Sequence, residues 1–267
     1  TEISENTTWS DSRVYYNDIH IQPGAILTVK KELLLSDRAS IIIEPGAKLI
    51  VDGGILSSVC GDLWQGIQVR GNSDLVQTEE NQGTLVLNNG AVVENAHTAV
   101  RAWEPGDFCS TGGIIQATDA VFRNNRRSVE FIKYPQSTCS DPPVYVPSNN
   151  LSFFKDCTFE NNDDNLFEIG APPLSMVTLW GVRGVDFLGC DFITTTSVAT
   201  SEERSKAIYS VDADYTVDGY CPGVIPIIPC PNLVKSTFTG FNTAVLATGA
   251  EQNPAPVVKN SVFNKNM

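Results

Sequence analysis

The sequence predicts an all-β fold: a right-handed parallel β-helix, a solenoid of about eight three-strand coils with loop insertions. Three observations carry that reading. First, Ile21-Gln-Pro-Gly-Ala-Ile-Leu-Thr-Val29 recurs as Ile43-Glu-Pro-Gly-Ala-Lys-Leu-Ile-Val51, an offset of 22 residues. Self-similarity at that period is what one coil of a solenoid produces. Second, a short motif returns as Gly90-Ala-Val-Val-Glu-Asn95, Asp119-Ala-Val-Phe-Arg-Asn124, Asp156-Cys-Thr-Phe-Glu-Asn161, Gly189-Cys-Asp-Phe-Ile-Thr194, Lys235-Ser-Thr-Phe-Thr-Gly240 and Asn260-Ser-Val-Phe-Asn-Lys265. Its small residue and the aromatic or Val two positions later share a strand face, which points into the bore. Third, Val100, Val129, Leu166 and Val245 follow Val93, Phe122, Phe159 and Phe238 by seven residues each.

The elements follow in order within a single domain. Residues 1–20 read as an N-terminal lead-in or cap and residues 21–267 as coils. Coil one uses Ala25–Val29, Leu33–Leu35 and Ile41–Ile43; coil two uses Lys48–Val51, Ile55–Ser57 and Ile67–Val69. Coil three uses Thr84–Leu87, Ala91–Val93 and Ala99–Arg101; coil four uses Ile114–Gln116, Ala120–Phe122 and Val129–Phe131. Coil five uses Leu151–Phe154, Cys157–Phe159 and Leu166–Glu168; coil six uses Val185–Phe187, Cys190–Phe192 and Lys206–Tyr209. Coil seven uses Leu233–Val234, Thr237–Phe238 and Ala244–Leu246, and coil eight runs from Val257 to Phe263. Stacking at strand spacing gives a rod of about 40 Å. Gly71–Gln82, Trp103–Gly112, Tyr134–Asn149, Thr194–Ser205 and Tyr215–Pro231 are too long for tight turns and should emerge as loops, where function usually sits.

Stacking also assigns columns. Asn95, Asn124 and Asn161 each fall two residues after the inward Val or Phe and suit a sharp corner, since Asn tolerates the left-handed conformation. Phe122, Phe159 and Phe192 should form an internal aromatic stack. Cys157 and Cys190 share a column in adjacent coils; free thiols packed as small hydrophobes are favoured over a disulfide. Trp64 and Trp180 are expected to cover the core.

Composition excludes some functions. The net charge of −13 argues against a nucleic-acid partner, which needs clustered Lys and Arg. No run of 18 apolar residues exists, so no membrane-spanning helix is expected. No basic stretch leads into an apolar one, so no signal peptide is expected within these residues; a start at Thr1 suits a processed product. Met267 falls inside a repeat, so further chain is expected beyond it. Cys109 and Cys139 lie in irregular insertions, and Cys221 and Cys230 bracket a Pro-containing apolar loop. Such cysteines read as disulfides Cys109–Cys139 and Cys221–Cys230, the signature of an oxidising, extracellular compartment. Cys60, Cys157 and Cys190 read as buried.

The block from Ile42 to Val69, with its most specific segment Cys60-Gly-Asp-Leu-Trp-Gln-Gly-Ile-Gln-Val69, resembles secreted β-helix repeat proteins of Bacteroidetes. Gly112-Gly-Ile-Ile-Gln-Ala117 and Asp119-Ala-Val-Phe-Arg-Asn-Asn125 resemble the later coils of the same group. The similarity runs from about Trp9 to Asn266. It implies a protein exported by the type IX secretion route and displayed at, or released from, the cell surface. The sorting domain common in that group is absent from these residues, and no catalytic residues carry over.

The candidate sites are few. Asp212, Asp214 and Asp218 alternate as ligands of a Ca²⁺ loop would, but the EF-hand Gly and Glu are missing, and a solvated acidic loop is favoured. Asn161-Asn-Asp-Asp-Asn165 reads as a turn rather than a metal site. Arg123, Arg126, Arg127 and Lys133 could hold a uronate or sulfate by bidentate hydrogen bonds, or form a charged outer face. Gln68, Arg101 and Glu130 make an outward column that reads as scaffold. Trp103, Tyr134 and Tyr145 lie in or beside insertions and could stack on sugar rings. His20 and His97 have no recognisable catalytic partner, and no nucleophile elbow, P-loop or zinc motif is present. The function expected is a non-catalytic structural or adhesive module at the cell surface, self-associating through unpaired strand edges. The alternatives are a carbohydrate-binding module, which needs exposed coplanar aromatics, or a polysaccharide lyase or hydrolase, which needs Arg126, Arg127 and acidic groups in one groove. No cofactor is expected, with Ca²⁺ at Asp212, Asp214 and Asp218 the one candidate.

Overall fold

Parallel strands joined by short corners can only wind forward, and the right-handed crossover is the one that right-twisted strands favour. The computed structural model describes residues 1–59, 61–135, 139, 150–168, 172–195, 206–223, 230–249 and 255–265, and these form a right-handed parallel β-helix. Among the described residues there are three parallel sheets of nine strands each.

Sheet A stacks Glu2–Ile3, Ile19–Ile21, Ser40–Ile43, Gly66–Val69, Val100–Arg101, Val129–Phe131, Val177–Trp180, Ile208–Val211 and Val245–Thr248. Sheet B stacks Thr7–Trp9, Ile26–Val29, Lys48–Asp52, Thr84–Asn88, Ile114–Thr118, Phe153–Lys155, Arg183–Leu188, Asp214–Asp218 and Val257–Val258. Sheet C stacks Arg13–Tyr15, Glu32–Leu35, Ile55–Ser58, Val92–Glu94, Val121–Arg123, Thr158–Asn161, Asp191–Thr194, Ser236–Thr239 and Ser261–Asn264. Residues 1–20, expected as a lead-in, thus contribute the first strand of every sheet.

Inward side chains close the bore. Along sheet C one column runs Leu33, Leu56, Val93, Phe122, Phe159, Phe192, Phe238 and Phe263 in continuous register. Its five phenylalanines stack face over face, with centroids 4.8 Å apart at each of the four steps. Phe154 and Phe187 on sheet B form a second stack, 4.9 Å apart, which meets the first obliquely. Both spacings equal the distance between hydrogen-bonded strands. The next inward column is small: Ala91, Ala120, Cys157, Cys190 and Ser236. Cys157 and Cys190 are free, buried thiols there, and burial pushes the Cys190 thiol up.

The corner between sheets B and C is tight and repeats. Gly53, Asn89, Asp119, Asp156 and Gly189 occupy it with φ of 67°, 55°, 52°, 56° and 63°. Gly, Asn and Asp are the residues that enter this left-handed region at least cost, which explains why Gly90, Asp119, Asp156, Gly189 and Asn260, all with positive φ, open the recurring motif. Five residues separate the inward positions Ala117 from Phe122, Phe154 from Phe159, and Phe187 from Phe192. Residues 219–235 interrupt this corner, but their ends are pinched together. Tyr220 and Val234 exchange backbone hydrogen bonds of 2.9 and 3.0 Å, and Cys221–Cys230 is disulfide-bonded.

At the corner between sheets C and A, Asn95 and Asn124 take the left-handed conformation expected of them, with φ of 57° and 51°. Asn161 does not. It extends the strand, and Asn162 completes the ladder: its backbone N–H donates to Asn124 Oδ1, and Asn124 Nδ2 donates to Asn162 Oδ1, both at 2.8 Å. The chain then leaves the coil, so Leu166–Glu168 is not a strand. Val177 takes the place expected of Leu166, paired with Val129. The seven-residue spacing fails in this coil because residues 162–176 are an insertion. Coil seven also differs. Its sheet-B strand is Asp214–Asp218, not Leu233–Val234, because Tyr215 and Val217 point inward and are buried. The loop after it therefore starts at Gly219 rather than at Tyr215. Cys60 lies outside the described residues.

The aromatic stack sets a stability test. Phe159→Ala should lower the unfolding free energy by about 3–5 kcal/mol, read by urea denaturation. Phe263→Ala, whose ring is 52% exposed, should cost less than half of that. Equal effects would mean that stacking inside the bore is not what holds the coils.

Candidate functional site

Register carries the outward side chains into columns as surely as the inward ones. On the outer face of sheet A one column runs Gln68, Arg101, Glu130, Thr178 and Tyr209 on consecutive strands. Gln68, Arg101 and Glu130 align as the sequence implied. A parallel column, two residues further along each strand, contains Trp103, Ile132 and Trp180. Trp180 was expected to cover the core. Instead it points outward and is 54% exposed, whereas Trp64 is fully buried. By strand spacing, Trp103 and Trp180 stand about 10 Å apart along the rod axis.

Glu130 organises this face. Its Oε1 accepts from Arg127 Nη1, and its Oε2 accepts from Trp103 Nε1 at 3.1 Å. The Trp103 ring stacks on Phe108, centroids 5.6 Å apart and planes 8° from parallel, and Phe108 is 60% exposed. Arg101 sits beside Glu130 on the neighbouring strand. Burial and then Arg127 push its pKa below the usual guanidinium value, against the opposing pull of Glu130.

The corner leading into this face is also polar. The offset of 29 residues that pairs Glu94 with Arg123 and Val100 with Val129 sets His97 on Arg126. The Arg126 N–H donates to Ala96 O at 2.9 Å, holding the two coils in that register. Arg126 Nε donates to Pro172 O at 3.2 Å and Leu174 N–H donates to Arg126 O at 2.6 Å, so residues 172–174 lie against the corner. Burial is the main cause that lowers the His97 pKa; Arg126 and Arg101 lower it further and Glu168 opposes them.

The predicted site residues therefore divide. Trp103 and Arg127 meet through Glu130 on sheet A, and Arg126 lies at the corner entering it. Arg123 lies on sheet C, sandwiched between Glu94, at 3.3 Å, and Glu160. It belongs to an ion ladder that spans three coils. Lys133 is exposed beside Gly181. Tyr134 is no sugar platform: it is 2% exposed, and its hydroxyl donates to Leu75 O at 2.6 Å. Its ring fills the space over Gly112, where a Cβ would lie 2.7 Å away. Tyr145 lies outside the described residues. Asp214 and Asp218 occupy the two ends of one strand, about 13 Å apart, too far to share a Ca²⁺. Asp218 instead contacts Lys259 at 3.1 Å and Asn260 at 2.7 Å, while Asp212 sits in a turn. Among the described residues no three His, Cys, Asp or Glu converge as a metal site.

Tyr134 belongs to a layer welded from successive insertions at the corner between sheets A and B. Gln82, fully buried, donates to Asn72 O and Leu75 O and accepts from Asn72 N–H at 2.7 Å. Gln77 donates to Gly112 O and Asn150 Oδ1, and accepts from Leu151 N–H at 2.6 Å. Cys109–Cys139 staples the second insertion to the third.

Sequence reasoning missed Trp180, Phe108, His97 and Glu168 as members of this neighbourhood. The 29-residue offset could have found His97 through Arg126. Trp180 was hidden by the misplaced strand of coil five. No protein-family model, curated protein or solved structure matches the chain. Two disulfides are formed, and among the described residues no helix is long and apolar enough to cross a membrane.

Tyr134 gives a pH test. Burial pushes its phenol up to about 12. The unfolded phenol ionises near 10, so the stability it confers is complete below pH ~10 and is lost as pH rises towards 12. Wild type should exceed Tyr134→Phe by about 1 kcal/mol at pH 8, from the lost hydrogen bond. That advantage should shrink between pH ~10 and ~12, as measured by urea denaturation across the series. An advantage constant over that range would mean the phenol is not buried as described.

Proposed function

We propose that this chain is a non-catalytic extracellular adhesion module that holds a linear polysaccharide along the outer face of sheet A. The observation that carries the reading is the column of Trp180, an exposed indole on sheet A, and Trp103, which continues that column two residues past the end of strand Val100–Arg101, flanked by Arg101, Arg127 and Tyr209. Indole and phenol side chains combine a large apolar face with a polar tip, the combination that binding surfaces concentrate. A sheet held by its hydrogen bonds presents them with little ordering cost. An extended glycan lying parallel to the rod axis would meet both rings. The chain's resemblance to secreted Bacteroidetes β-helix proteins, and its two disulfides, support display outside the cell.

The adhesive reading is favoured over cleavage because Glu130, the carboxylate at the centre of the face, has both oxygens engaged by Arg127 and Trp103. It is a positioning group, not a free acid or base.

The test is affinity electrophoresis against a panel of soluble polysaccharides. Trp180→Ala and Trp103→Ala should each weaken retention by about tenfold, the scale of one central aromatic contact. No new reducing ends should form on prolonged incubation. Unchanged retention in both variants would overturn the site, and release of reducing ends would overturn the non-catalytic reading.

A further inference from the structure

The protein carries 31 acidic and 18 basic side chains, so its cations should find anionic partners easily. Several arginines on the coils do: Arg70 pairs with Glu44 and Glu104, Arg123 with Glu94 and Glu160, and Arg127 with Glu130. Arg101 and Arg126 make no such ion pair. Among the described residues Arg101 has no ion pair or hydrogen bond to its guanidinium, although it neighbours Glu130, whose two oxygens are already taken. Arg126 gives Nε to the carbonyl of Pro172 and has no carboxylate partner.

These two guanidiniums lie on adjacent coils. The common 29-residue offset puts Arg126 on His97, and four residues separate His97 from Arg101 on the same coil. Arg127 follows Arg126, so three arginines lie on these two adjacent coils, with Glu130, each of whose oxygens accepts one hydrogen bond, and exposed Glu168 nearby. The imidazole between them adds a donor or acceptor without adding a charge, since burial and both arginines oppose its protonation. Bringing like charges together costs free energy that an incoming anion would recover, and planar guanidinium forks match carboxylate and sulfate oxygens in pairs. Arg101 lies on the same coil between His97 and Trp103, two residues before the indole.

We propose that His97, Arg101 and Arg126 form an anion subsite at the corner between sheets C and A, which takes the carboxylate or sulfate of an acidic glycan lying on sheet A. The identity of the polymer rests on the binding face proposed above; the subsite itself does not. The protein's net charge of −13 opposes a polyanion at long range, so selectivity has to come from these local contacts rather than from the overall field.

Two measurements separate the claims. The first follows the arginine Nε–Hε resonances by ¹⁵N NMR while galacturonate, or separately inorganic sulfate, is titrated. Saturable shifts of the Arg101 and Arg126 signals are expected, with the Arg101 response lost in Arg126→Gln. A stronger response to galacturonate would identify a carboxylate site, and a stronger response to sulfate a sulfate site. The absence of saturable shifts with either anion would overturn the subsite. The second compares retention on polygalacturonate and on its fully methyl-esterified form. Wild type should prefer the acid by about tenfold or more, and Arg126→Gln should lose that preference while keeping its affinity for the ester. Equal retention of both polymers would overturn the acidic-glycan assignment and leave the aromatic face standing. Retention of neither, with saturable arginine shifts intact, would overturn the polysaccharide reading alone.

Discussion

Every feature of this protein depends on the 4.8 Å step between hydrogen-bonded parallel strands. The backbone ladder fixes that distance, and a side chain must therefore sit directly over the equivalent side chain of the previous coil. Aromatic rings tolerate that separation face to face, and the five phenylalanines of sheet C use it at each step. Small residues fill the neighbouring column because the rings already occupy the bore. The same constraint acts on the outside, where nothing has to pack. It lines up Trp103 with Trp180 and His97 with Arg126, so the candidate face follows from the ladder.

The three corners differ in what they allow. Between sheets B and C, a left-handed Gly, Asn or Asp recurs, and the one long interruption described there, residues 219–235, is pinched off at Tyr220 and Val234. The other two corners absorb the remaining insertions. From one coil to the next, the register of sheet A advances 22 residues from Ile19 to Ile41 but 48 from Val129 to Val177. The extra chain is not loose decoration. At the corner between sheets A and B, Gln77, Gln82 and Tyr134 bind the insertions through their backbones, and at the opposite corner Pro172 and Leu174 bond to Arg126. Insertions thus collect at both edges of sheet A, beside the candidate face.

The fold was legible because its cause is periodic. The repeat at Ile21 and Ile43, and the small-x-aromatic motif, record the ladder directly. Both disulfides and the free thiols were legible too, from their place in loops or in the bore. The site was legible only in part. A fixed offset reveals columns where coil length is constant, as between Glu94 and Arg123, and fails where an insertion changes it. Leu166 satisfied the seven-residue spacing by sequence alone, whereas Val177, eleven residues later, satisfies the ladder. That one displacement hid Trp180. Tyr134 was misread for a different reason: position in a loop says nothing about burial when neighbouring loops pack on each other, and the missing Cβ of Gly112 is what admits its ring.

The pinched neck at Tyr220 and Val234 has a consequence for how such a rod can change. The backbone bridge and the Cys221–Cys230 bond return the chain to the point where it left the stack. Whatever lies between those cysteines therefore transmits neither its length nor its composition to the coils on either side. The segment behaves as a cassette, in which residues can be exchanged without renegotiating the register of the scaffold. Variation can accumulate there quickly while the columns that support it stay fixed.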